Sequence, residues 1–492
     1  MIAGCLALIC GLLQASSFAP TEAWWLQILS LAGLLALAWP AAPVRAGWLG
    51  GCFGLGWFAG GLWWLFISLH EFGGLAAPLA VLAVLLLATF LALYPAAALA
   101  GWAALRSAPA PARVALLGCT WLAAELARAQ LFTGFPWIAG GYAHSVGPLA
   151  AWAPWLGVYG MGWLAALLAA ALAAAWRAGC LPPLAGLGAL VLAGYLLPQQ
   201  FTQSAGSLPV TLVQPAVPQS QKFDPAHIDR HLDALLGQIE AARTPLVIAP
   251  ESVITLPMAH LRPEQQERLL RASSDRTVWF GTFLGSDEGG WVNSMLALHQ
   301  GRSVHEYGKR HLLPFGEFIP PGFDAFMRLL NIPIGSQSPG QHQRPLLLDG
   351  LRLRALICYE DLFGEDFVAS AVAGEDAADV FVNTSNLGWF GTRMVLDQHL
   401  QFSQVRALEF QRPFVRATNT GATAHVDHRG QVLARLPAGE RDQLVVEVEG
   451  RKGTTPYARW LHAAGLRPLW ALALLPLLLG WAWSRKAARQ HA

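Results

Sequence analysis

The chain has 492 residues, 54% of them hydrophobic and only 13% charged, with a mean hydropathy of +0.40. So few charges on so long a chain exclude an ordinary single soluble domain. The formal charge of +2 is scattered, with no basic stripe and no interleaved aromatics, so no nucleic-acid partner is expected.

The apolar excess is concentrated at the start. Between Met1 and Pro198 the acidic residues are Glu22, Glu71 and Glu125, and the basic ones are Arg45, Arg106, Arg113, Arg128 and Arg177. A bilayer core takes roughly 20 apolar residues per helix, with shorter runs possible. Seven segments fit, at about 2–15, 24–40, 47–69, 76–101, 113–127, 151–176 and 181–198, and an eighth runs over 466–484. The first is short, but it lacks the basic start of a signal peptide and reads as a retained helix. The expected organisation is a membrane block over 1–200, a soluble domain over 207–459 and a closing span over 466–484.

Alternate loops carry Arg45, then Arg106 and Arg113, then Arg177, and the tail carries Arg485, Lys486 and Arg489. By the positive-inside rule both termini then face the cytoplasm, and the domain after the seventh span lies outside. In a bacterium with an outer membrane, that is the periplasmic side of the inner membrane. Trp24, Trp25, Trp63, Trp64, Trp137 and Trp155 fall near the predicted interfaces, as is ordinary for membrane proteins.

The soluble part alternates strands and helices. Leu208–Gln214 reads as a strand, and Ala226–Arg243 as a helix with Ile228, Leu232, Leu235, Leu236 and Ile239 on one face. Pro245–Ala249, Thr277–Thr282, Val292–Leu298, Arg302–Tyr307, Leu351–Ile357 and Ala378–Asn383 read as strands. Met394–Gln411 reads as a long helix, followed by closing strands at Phe414–Arg416, Ala422–Asp427, Val432–Leu436 and Leu444–Val448. The stretch from Ile332 to Gln343 is rich in Pro and Gly and reads as a loop. This pattern predicts an α/β sandwich with its helices outside the sheets.

The candidate chemistry sits at strand ends. Cys358 is the one cysteine of the soluble part; Cys5, Cys10, Cys52, Cys119 and Cys180 fall in or beside predicted spans. Taken alone, Cys358 reads as a buried inert thiol. A nucleophilic thiol needs a nearby base or cation. Glu251 in VIAPES and Lys309 in EYGKRHLLPFGEFIP stand just after strands and supply both.

In that chain order the three positions resemble the Glu–Lys–Cys triad of the nitrilase superfamily. The resemblance implies an α-β-β-α sandwich, with Glu251 as general base, Cys358 as nucleophile and Lys309 stabilising the tetrahedral intermediate beside the backbone N–H after Cys358. Three further stretches, FTGFPW at 132–137, KRHLLPFGEFIP at 309–320 and QVRALEFQRPFVRATNTGATA at 404–424, together with the membrane block, resemble the apolipoprotein N-acyltransferase family. That family takes an acyl chain from a phospholipid, usually phosphatidylethanolamine, onto its Cys. It passes the chain to the α-amino group of the diacylglyceryl-cysteine of an apolipoprotein.

The same resemblance implies that Glu317 is a second essential carboxylate, that Glu360 supports the site, and that Tyr359 and Asn293 line a pocket. Two positions depart from the family pattern: Phe223 stands where Trp is usual, and Leu387 where Asp precedes the Trp389-Phe390 segment. The apolar segment Phe323–Ile334, with Phe326 and Leu330, is a candidate lid dipping into lipid, and Trp389 with Phe390 is a second. No metal, cofactor or nucleotide is expected, and a monomer is. A water-using amidase and a non-enzymatic transporter stay as alternatives. The transporter is disfavoured because Glu125, the one clear acidic candidate within the spans, has no obvious partner in the sequence.

Overall fold

The computed structural model describes residues 1–179, 182–286, 290–320, 322, 337–341 and 343–490. The chain forms two compact units. One comprises Met1–Phe66, Leu75–Gln200 and Arg459–Ala492, and the other Ile67–Gly74 with Phe201–Ala458.

The first unit is helical. Its helices Ile2–Ala15, Trp24–Ala38, Pro43–Gly61, Ala77–Ala104, Ala110–Gln130, Ala153–Ala178, Pro182–Leu196 and Arg467–Gln490 stand at the eight places where apolar segments were predicted. The number of spans is another matter. Among the described residues two helices, Ala77–Ala104 and Pro148–Ala178, are long and apolar enough to cross a bilayer, and up to four if two bent pairs each count as one. The reasons are physical. Ile2–Ala15 has 14 residues and Trp24–Ala38 has 15, whereas a straight crossing needs about 20. Ala110–Gln130 carries Arg113, Glu125 and Arg128.

Glu125 is not without a partner. Arg128, one turn on, donates from Nη2 to Glu125 Oε2 at 3.1 Å, and the Gly140 amide donates to the same oxygen at 3.2 Å. Arg128 Nη1 donates to the carbonyls of Phe135 (2.6 Å) and Trp137 (2.9 Å). The buried pair therefore ties down the segment that contains FTGFPW, a structural role that the sequence reading missed.

The second unit holds two six-stranded sheets. The first has the order β12-β1-β2-β3-β4-β5, with β1 Thr202–Gln214, β2 Leu246–Ile248, β3 Thr277–Ser286, β4 Gly290–His299, β5 Arg302–Gly308 and β12 Asp442–Gly453. The second has the order β11-β10-β9-β8-β7-β6, with β6 Leu346–Leu348, β7 Leu351–Ile357, β8 Val380–Ser385, β9 Phe414–Thr418, β10 Ala424–Val426 and β11 Val432–Arg435. Residues of β1 meet β7 and β9 of the other sheet, so the sheets stack face to face.

Helix Pro225–Ala241 packs on the first sheet through Leu232, Leu235, Leu236 and Ile239 against Val213, Val247, Val278 and Phe280. Each such side chain, fully buried, contributes roughly 1.5–3 kcal/mol. Helix Met394–Phe410 lies against β9 and β10. The layers are α-β-β-α, as the resemblance implied.

Strands β1, β2 and β3 run parallel, β4 and β5 continue antiparallel, and β7, β8 and β9 run parallel. The carboxyl ends of β2 and β5 therefore lie along one edge of the first sheet, and those of β7 and β8 along one edge of the second. The chain segments that follow these four strands carry the functional side chains.

Candidate active site

Cys358 follows β7 directly and opens a short 3-10 helix, Cys358–Leu362. Its φ of +52° is left-handed for a residue with a side chain, a conformation kept only where the surroundings fix it. The following β8 supplies part of that support, since Asn383 Nδ2 donates to the Cys358 carbonyl at 3.1 Å. Fully buried Asp361, three residues on, accepts from Ser403 Oγ at 2.7 Å and from Arg416 Nη1 at 3.0 Å.

Glu251 sits in a turn after β2 that lies flat against β3. Gly281 permits this: a Cβ there would collide with Pro250 O and Ser252 N and stand 2.6 Å from Glu251 Cα. Gly281 also donates its amide to Pro250 O at 3.1 Å and accepts from Ile254 at its carbonyl. Lys309 follows β5, where Gly308 and Gly340 pass backbone against backbone, too close for a side chain on either. The Gly340 amide donates to Lys309 O at 2.7 Å.

These turns bring four predicted residues into one buried cluster. Lys309 Nζ lies 2.7 Å from Glu317 Oε1 and 3.5 Å from Glu251 Oε1. Asn293 Nδ2, from β4, donates to Glu251 Oε1 at 2.7 Å and to Glu317 Oε1 at 3.3 Å. The second oxygen of Glu251 accepts the Asn386 amide at 2.8 Å, and that of Glu317 accepts the Leu313 amide at 2.7 Å. Burial alone would depress the Lys309 ammonium, but the Glu317 and Glu251 carboxylates outweigh it and hold Lys309 protonated above the ordinary lysine range. The Cys358 thiol goes the other way. Burial first, then the Glu251 carboxylate, push it well above its usual value, and Lys309 opposes them. Burial therefore favours a neutral thiol at Cys358, electrostatically coupled to Glu251 and Lys309.

Glu360 is a bridge between strand ends. Its Oε2 accepts from Tyr307 Oη and the Ile357 amide, both at 2.7 Å, and its Oε1 accepts from the Arg310 amide at 2.7 Å and the His311 amide at 3.2 Å. One carboxylate so ties the lysine turn to the nucleophile turn.

The family models match most of this chain. Residues 10–171 match the model described as Apolipoprotein N-acyltransferase N-terminal domain, and residues 209–457 match Carbon-nitrogen hydrolase. An apolipoprotein N-acyltransferase of Ralstonia nicotianae is 41% identical over 498 residues, which cover 98% of this chain and 94% of that one. One of Verminephrobacter eiseniae is 43% identical, with 94% and 92% covered. The chain belongs to the apolipoprotein N-acyltransferase family.

In this acyltransferase the remaining predicted residues are less central. Buried Tyr359 packs edge-on against Phe363, ring centroids 5.0 Å apart, and against His311 at 5.8 Å. Phe223 and Trp389, 46% and 37% exposed, stack on each other at 6.3 Å. Phe72 meets Trp389 edge-on at 5.5 Å. So Phe223 keeps an aromatic contact at the position where the family usually has Trp, and Leu387, where the family has Asp, is buried. Phe326 and Leu330 lie outside the described residues.

Sequence reasoning missed Asn386, which acts through its backbone, and Lys222, which lies beside Phe223 in the motif QSQKFD. The Asn386 role carries no side-chain signal. Lys222 stands three residues after Gln219, so both fall on one face of the short helix Gln219–Lys222. Gln219 Oε1 accepts from Asn386 Nδ2 at 2.9 Å.

Proposed function

We propose that this acyltransferase takes a fatty acyl chain from a phospholipid onto Cys358 as a thioester and passes it to the N-terminal amine of an apolipoprotein. The acceptor is the α-amino group of the diacylglyceryl-cysteine, and the reaction is the final step of lipoprotein maturation. The observation that carries the roles is the single buried cluster of Glu251, Lys309, Asn293 and Glu317, electrostatically coupled to Cys358.

Glu251 accepts the thiol proton as Cys358 Sγ attacks the donor's ester carbonyl. The carbonyl oxygen becomes an oxyanion, met by the Lys309 ammonium and the backbone N–H after Cys358. When the intermediate collapses, the C–O bond breaks and the lysophospholipid oxygen takes the proton back from Glu251. In the second half the α-amine attacks the thioester and loses a proton to Glu251. Cys358 leaves as thiolate and is reprotonated. Glu317 and Asn293 hold Lys309 and Glu251 in register throughout.

Phosphatidylethanolamine is the proposed donor, and the proposed unit is a monomer with eight spans in the bacterial inner membrane. The catalytic unit faces the periplasm. The alternation of Arg45, Arg106, Arg113 and Arg177 among the loops supports that orientation. The test is a diacylated lipopeptide incubated with enzyme and vesicles of phosphatidylethanolamine. A triacylated peptide and lysophospholipid in equal amounts are expected; free fatty acid without peptide acylation means a hydrolase.

A further inference from the structure

Lys222 is buried, yet among the described residues it forms no ion pair. Its Nζ donates to Ser252 Oγ at 2.8 Å and to the Glu251 backbone carbonyl at 3.2 Å. An ammonium taken out of water without a paired carboxylate is costly, and such groups collect at functional sites. The two acceptors belong to the turn that carries the general base. Ser252 has a left-handed φ of +45°, so this turn is strained and needs holding from outside. Gly281 supports it from β3; Lys222 holds it through Ser252 and the Glu251 carbonyl.

Charge balance points the same way. The cluster of Glu251, Glu317 and Lys309 carries one net negative charge. In each half-reaction Glu251 takes up a proton as negative charge develops on the thiolate or the oxyanion, so one net negative charge persists at the reacting atoms. Glu360 is satisfied by neutral donors, and Asp361 has its own cation in Arg416. Lys222, buried against the Glu251 turn and without an ion pair among the described residues, is the cation placed to bring the cluster to neutrality.

We infer that Lys222 is a positioning residue for the acyl transfer: its ammonium pins the Glu251–Ser252 turn and supplies the second positive charge of the site. The inference rests on the proposed roles of Glu251 and Cys358. Burial pulls Lys222 down to about 8, against the opposing pull of Glu251 and Cys358. Its charge is therefore present at neutral pH and lost as pH rises through about 8. Among the described residues that line the small cavity beside Lys222, the other titratable group is His231, and burial and Arg230 hold His231 below its usual value.

The experiment is iodoacetamide alkylation of the full-length enzyme in detergent micelles, followed at Cys358 by mass spectrometry from pH 6 to 10. Alkylation needs no phospholipid. Failure of the donor assignment would leave it intact, and a missing effect here would leave the donor assignment intact. In Lys222→Met, which keeps the volume and removes the charge, the rate at pH 6–7 should fall about tenfold, and the difference from wild type should close above about pH 8, where wild-type Lys222 is itself neutral. Lys222→Arg should restore the rate. Ser252→Ala, which keeps the charge and cuts one contact, should slow alkylation less than Lys222→Met does. A Lys222→Met profile that coincides with wild type overturns the inference. So does a fall in rate that is the same at every pH and tracks a lowered Tm.

Discussion

Glu360→Gln is the most informative single substitution, because the change is isosteric and the wild-type carboxylate accepts four hydrogen bonds from three elements. An amide has one accepting oxygen and one donating nitrogen. If its oxygen faces the Arg310 and His311 amides, its NH2 group confronts the Ile357 amide, which can only donate; Tyr307 Oη can turn and accept. If it faces the other way, two backbone donors are left unmatched. The least costly arrangement loses one charge-assisted bond of about 1.5–3 kcal/mol. If that loss falls on the relative placement of Lys309 and Cys358, acyl loading slows about 10- to 150-fold. The assay is the single-turnover appearance of acyl-enzyme by intact-protein mass spectrometry, with Tm measured alongside. Glu360→Asp, too short to span both turns, should be at least as slow. Wild-type loading in Glu360→Gln would refute the bridging role.

Four further outcomes follow from the same geometry. Lys309→Met takes from buried Glu251 and Glu317 the ammonium that both contact, so acyl loading should be lost and Tm should fall, the cost of breaking such a buried pair being about 3–5 kcal/mol. Asn293→Leu removes the donor shared by the two carboxylates and should slow loading about tenfold or more, scored by the same mass-spectrometric assay. Gly281→Ala drives a Cβ onto the Glu251 turn; acyl loading should collapse while circular dichroism still reports a folded chain. Arg128→Met strands the buried Glu125 in the helical unit, and the expected result is a lowered yield of folded protein in a detergent-stability assay.

The positions of Glu251 and Cys358 were legible because each follows an apolar run; Lys309 follows the polar strand RSVHEYG, and its role was read through the resemblance. Helix Pro225–Ala241 was legible from its spaced Leu and Ile residues. Helix Pro263–Ala272 was not, since Leu269 is its one fully buried apolar residue and periodicity needs several. The three-residue β6, Leu346–Leu348, gives too short a pattern to read. Lys222 escaped notice because a lysine reads as solvated until its burial is known. Glu125 was read as unpartnered although Arg128 stood at helical spacing, because the pair was weighed as part of a span rather than as the tie for the loop that follows. The count of eight spans was drawn from apolar runs alone, while helix length and internal charge narrow the clear cases to between two and four.

The central claim is a thioester on Cys358. Purified enzyme incubated with phosphatidylethanolamine, then weighed intact, tests it most directly. The account predicts a mass gain of one fatty acyl group that neutral hydroxylamine removes, that Cys358→Ala lacks, and that a diacylated lipopeptide discharges as triacylated peptide. Full transfer activity in Cys358→Ala, or an adduct that maps to another residue, would contradict it.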